Sequence, residues 1–70
     1  MYSLVGVDGN AYSIMGYTMD AMKKTGFTKE EIDQMLEQAK SGDYYNLIAV
    51  CDDYIRMVNE RVGEEEEDYD

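Results

Sequence analysis

The side chains able to do chemistry in this chain are few, and their types restrict what they can do. With no histidine, the commonest general base and the usual partner of a nucleophilic Ser or Cys are both missing. Asp52 and Asp53 are adjacent, so on a helix their side chains diverge by about 100° and cannot close on one substrate as a carboxylate pair. Cys51, the single cysteine, falls between Ile48 and Ile55 on an apolar stripe, where a thiol is a small buried hydrophobe with a raised pKa. One cysteine and no histidine also rule out the usual zinc ligand sets. The acidic run at the C-terminal end lacks the alternating oxygen ligands and turn glycine of a calcium loop. Catalysis is therefore not expected, and neither a cofactor nor a metal is.

Binding chemistry is better represented. In GVDGNAYSIMG (residues 6–16), Gly9 can let an anion approach the backbone while the first amides of a following helix point at it, with Tyr12 and Tyr17 placed to stack on a base. The plainer reading gives Gly9 a turn and Asn10 a helix cap. The stretch has no Walker lysine, its glycines miss the dinucleotide spacing, and Asp8 repels a phosphate. Basic groups such as Lys23, Lys24, Arg56 or Arg61 would have to come from elsewhere in the fold. Seven tyrosines against one phenylalanine and no tryptophan suit contact surfaces, because tyrosine carries a rigid apolar face with a polar tip. Tyr44 falls on a core stripe; Tyr12, Tyr17 and Tyr45 do not.

These residues must be positioned by a few short elements. YSLVGV (Tyr2 to Val7) is rich in β-formers and reads as one short strand. Asp8-Gly9 is also a hairpin signal, with NAYSIMGY as the alternative return strand. Against that, Ile14, Met15, Thr18, Met19 and Met22 recur at helical spacing, so Asn10 caps a helix over 11–25 that Gly26 ends in a left-handed conformation. Thr28 and Glu31 form a Thr-x-x-Glu capping box, Phe27 and Ile32 flank it as a hydrophobic staple, and Ile32, Met35, Leu36 and Ala39 give the stripe of a helix over 29–41 stopped by Gly42. Asp43 caps a third helix over 44–62. Its buried stripe is Tyr44, Leu47, Ile48, Cys51, Ile55, Val58 and Val62, and its outer face is Asp52, Asp53, Arg56, Asn59 and Glu60. Arg56 stands one turn from both Asp52 and Glu60. Gly63 is expected to break the helix, leaving EEEEDYD as a mobile like-charge tail. The fold class is mainly α: three short helices, one short N-terminal strand and a disordered acidic tail, with residues 1–63 as a single domain and 64–70 as the tail.

A domain of seventy residues buries only roughly 60% of its unfolded surface, and no intrachain disulfide can reinforce it. A partner chain is the expected support, the simplest being a symmetry mate pairing the unpaired strand in a homo-oligomer. No apolar stretch reaches membrane-span length and no basic-then-apolar leader opens the chain, so a cytoplasmic protein with no membrane association is expected. The net charge is −10, with six acids in the last seven residues and ten acids against six bases before them. Direct binding to a nucleic-acid backbone needs the opposite sign. Acids can instead occupy a site built for phosphates.

SLVGVDGNAYSIMGY and SGDYYNLIAV resemble segments of short uncharacterised acidic proteins encoded by bacteriophages and prophages of gut bacteria, whose start runs Ser-Leu-x-Gly-x-Asp-Gly-Asn-Ala, then an aromatic residue and a Met-Gly pair. Tyr12 stands where that pattern has Phe. The resemblance implies a context, the cytoplasm of an infected bacterium and counter-defence, and carries no residue roles. Two functions fit. The first is a non-catalytic inhibitor that occupies a basic surface on a host nucleic-acid-handling protein, through Asp52, Asp53, Glu60, Glu64, Glu65, Glu66, Glu67 and Asp68. The alternative is an oligomeric sponge for a nucleotide-derived signal, held by Gly9, Asn10, Tyr12 and Tyr17.

Overall fold

Among the described residues three helices form where the apolar periodicity and the caps place them. The computed structural model describes residues 1–67, with side chains described to Gly63: α1 runs Ala11–Lys24, α2 Lys29–Lys40 and α3 Tyr44–Glu67. Helix α1 starts where the Asn10 side chain accepts the Tyr12 amide at 2.8 Å, which satisfies one of the orphan donors of the first turn. It ends in a Schellman motif. Gly26, at φ 86°, donates to the Lys23 carbonyl, and the Phe27 amide reaches back to Met22, a conformation that disfavours any side chain with a Cβ.

Phe27 leads directly into the α2 cap. The Thr28 hydroxyl accepts the Glu31 amide at 3.1 Å while the Glu31 carboxylate accepts the Thr28 amide at 2.9 Å. That bond holds the Glu31 carboxyl below its ordinary pKa. Asp43 then caps α3 by accepting from the Asn46 amide.

Helix α3 packs against both α1 and α2. Between them lies one core, built from Ile14, Met15, Ala21 and Met22 of α1, Ile32, Met35 and Ala39 of α2, and Leu47, Cys51, Ile55 and Val58 of α3, with Phe27 at the turn. Fully burying a side chain such as Met22 or Met35 contributes about 1.5–3 kcal/mol. Among the described residues Thr18 is the single buried polar one, and its hydroxyl is satisfied by the Ile14 carbonyl one turn back. Arg61 ties the far end of α3 to the α1–α2 turn, donating to the Thr25 carbonyl at 3.1 Å and lying 3.9 Å over the Phe27 ring.

Four expectations are corrected. Among the described residues there is no strand: Tyr2 to Val7 form an irregular arm with a turn in which the Val7 amide donates to Leu4 and Gly6 adopts φ 87°. A strand needs a neighbouring strand for its backbone groups, and here other partners take several of them. Asn59 of α3 accepts the Tyr2 amide and donates to the Tyr2 carbonyl, both at 2.8 Å, and the Tyr17 hydroxyl accepts the Ser3 amide at 3.0 Å. The edge that was to pair with a second copy is therefore not present. Gly9 does not adopt positive φ, so Asp8-Gly9 forms no hairpin turn of the kind that needs it.

The third correction is at Gly63, which does not stop α3; the helical backbone continues to Glu67. The disorder expected of the acidic run falls, for Asp68, Tyr69 and Asp70, outside the described residues. Tyr44, assigned to the buried stripe, is 45% exposed at the start of α3, where the core has already ended.

Candidate binding surface

The outward side of α3 gathers the acids that the sequence singles out. At about 100° per residue, Tyr45, Ala49, Asp52, Asp53, Arg56 and Glu60 fall within a sector of about 100° and along about 22 Å of helix. Asp53, Glu60, Ala49 and Arg56 are exposed, and Asp52 is half-buried. Arg56 forms an ion pair with Asp52 at 3.4 Å, an exposed contact of at most a few tenths of a kcal/mol. Its expected partnership with Glu60 is not formed. Among the described residues neither Asp53 nor Glu60 is in an ion pair, so this face presents net negative charge.

Asn59 was grouped with that outer face, but it turns to the amino-terminal arm. Tyr45, 81% exposed, stands at the head of the face and adds an aromatic anchor beside the acids. Its position one residue off the core stripe was the available signal. The backbone of residues 64–67 extends the same helix, and Asp68 lies outside the described residues.

The residues assigned to a nucleotide are only partly brought together. Tyr12 is 80% exposed and lines a groove of about 370 Å³ with Met15, Lys40, Asp43, Tyr44 and Leu47. Gly9 lies beside it, its carbonyl accepting the Tyr44 hydroxyl. The Asn10 side chain is engaged on the Tyr12 amide, and Asp8 sits at the same turn, accepting the Asn10 amide at 3.0 Å. Tyr17 belongs to a different place. Its hydroxyl holds the arm at Ser3 and its ring meets Tyr2 edge-on at 6.1 Å. Of the basic groups considered for a phosphate, Lys24 pairs with Asp20 at 3.0 Å, which pushes its pKa up, and Arg61 is committed to Thr25 and Phe27. The cation that does reach the groove is Lys40, which sequence reasoning did not select.

Cys51 is fully buried; burial pushes its thiol up, against a smaller opposing effect of the Thr18 hydroxyl. A protonated thiol with no access to solvent is not placed to attack a substrate. Among the described residues no group of three or more Cys, Asp or Glu side chains is arranged to hold a metal ion, and no helix is long and apolar enough to cross a membrane. Comparison with known protein families, with curated proteins and with solved structures finds no match to this chain.

Proposed function

We propose that this protein is a non-catalytic binding protein whose acidic α3 face docks on a basic surface of another protein. The observation that carries the reading is the stripe of exposed Tyr45, Ala49, Asp53 and Glu60 with half-buried Asp52, in which Asp53 and Glu60 have no ion-pair partner among the described residues. A helix presenting carboxylates at successive turns offers negative charge to a surface adapted to phosphates, and the net charge of −10 steers such an encounter over distances up to about a Debye length, ~8 Å at physiological salt. Tyr45 supplies the rigid apolar contact that charge alone lacks. The resemblance to phage-encoded proteins supports placing the partner among host proteins that handle nucleic acid, with inhibition as the outcome and the infected cytoplasm as the setting.

The test is competitive capture from host lysate. Immobilised protein is expected to retain a basic partner that DNA and raised salt both release. Retention should fall when Asp52→Asn, Asp53→Asn and Glu60→Gln are combined, and again when Tyr45→Ala is added. Retention unchanged in that variant and in a chain ending at Gly63 would remove the reading.

A further inference from the structure

The groove beneath Tyr12 adjoins the head of the outer α3 face through the Tyr44–Tyr45 ring pair and has its own chemistry. Its floor is apolar, from Met15 and Leu47, and Tyr12, Tyr44, Lys40 and Asp43 surround it. Neither ring is needed to fill the core, since Tyr12 is 80% and Tyr44 45% exposed. Tyr44 is nonetheless fixed: its hydroxyl is anchored on the Gly9 carbonyl and its ring lies edge-on to Tyr45 at 6.3 Å. One oxygen of Asp43 caps α3 through the Asn46 amide at 2.9 Å, which leaves the other to accept from a ligand. A second carboxylate, Asp8, stands at the turn whose Gly9 holds Tyr44.

We infer that this groove receives an arginine side chain of the basic partner, an inference that rests on the proposed function. The apolar floor takes the methylene stem, the tyrosine faces take the delocalised cation, and Asp43 accepts from the guanidinium fork. Arginine fits better than lysine because a planar, weakly hydrated guanidinium can stack and donate in one plane, whereas an ammonium holds its water. Charge complementarity is carried by Asp43, the carboxylate that lines the groove, and by the field of the net charge of −10, with Asp8 at the neighbouring turn. Lys40 works against it, and that opposition distinguishes this occupant from a nucleotide, for which Lys40 and the tyrosines would cooperate.

The experiment titrates the isotope-labelled full chain with hexa-arginine, with hexa-lysine of equal charge and with ATP, following backbone amide signals. Hexa-arginine should bind more tightly than hexa-lysine and shift the amides of Tyr12, Asp43 and Tyr44. Tyr12→Ala, at an exposed position that leaves the core intact, should weaken hexa-arginine about 2- to 5-fold and leave hexa-lysine unchanged. Lys40→Ala should strengthen hexa-arginine. Weakening of hexa-arginine by Lys40→Ala, or saturable ATP binding that Lys40→Ala abolishes, would overturn the inference in favour of an anionic ligand. If both peptides respond to Asp53→Asn with Glu60→Gln but not to Tyr12→Ala, the groove assignment falls and the α3 face stands. If neither peptide binds, both fall.

Discussion

Asn59 shows how much one side chain on a polar face can do. By accepting the Tyr2 amide and donating to the Tyr2 carbonyl, its carboxamide satisfies both backbone groups as a neighbouring strand would, and so the arm needs no strand. The tether also seats Tyr2, Leu4 and Val7 against the core. Replacing Asn59→Ala removes two part-buried hydrogen bonds, each with a net contribution of about 0.5–1.5 kcal/mol. The expected result is a destabilisation of about 1–3 kcal/mol by denaturant unfolding, with faster amide exchange confined to the arm and α1–α3 still formed. Unchanged exchange at Tyr2 would contradict this account of the arm. None of it was legible in the sequence, because the contact joins residues 57 apart and an Asn among Asp52, Asp53 and Glu60 reads as solvated surface. The same limit applies to Tyr44. Periodicity extends a stripe to the last residue that fits, while the core it faces ends sooner.

At the level of elements, the local signals were sufficient where they were redundant. Helix α2 has a reciprocal capping box, a staple and a continuous apolar stripe, all naming one start, and α2 begins at Lys29 as they require. Helix α1 had a competing hairpin reading, decided by Asn10 capping and by Gly9 keeping negative φ. Gly63 is the instructive miss. Glycine followed by like charges looks like a stop, yet no left-handed conformation forms there and the helix passes through. The two glycines at these ends therefore respond oppositely to alanine. Gly26, at φ 86°, should lose about 1 kcal/mol or more on Gly26→Ala. A Cβ at Gly63 meets nothing within 4 Å, so Gly63→Ala should gain about 0.5–1 kcal/mol through helix propensity. Thermal unfolding of the two variants checks both signs, and a Gly63→Ala chain less stable than the parent would show that the helix ends there after all.

For the whole molecule, charge and fold pull in different directions. The symmetric pairing expected of a bare strand edge has lost its basis, since the arm's backbone at Tyr2 is held within its own chain. What remains is a small three-helix core carrying a net charge of −10, with six acids in the last seven residues. Four of those acids, Glu64 to Glu67, lie in the last turn of α3, where no basic residue stands. Negative charge at a helix C-terminus opposes the macrodipole by about 0.3–1 kcal/mol, and the surplus also repels the acids of the α3 face. Both effects are screened by salt. Raising sodium chloride from low to physiological strength should therefore raise the thermal midpoint, by about 4–8 °C for each kcal/mol relieved in a domain of this size. A chain ending at Gly63 should start with a higher midpoint at low salt and respond less to added salt. A midpoint that falls with salt, or a truncated chain that responds as strongly as the full one, would place the repulsion elsewhere. On the proposed function, the acidic run would act through the field it projects outward, which would draw a basic partner to α3 even at a cost to the helix that carries it.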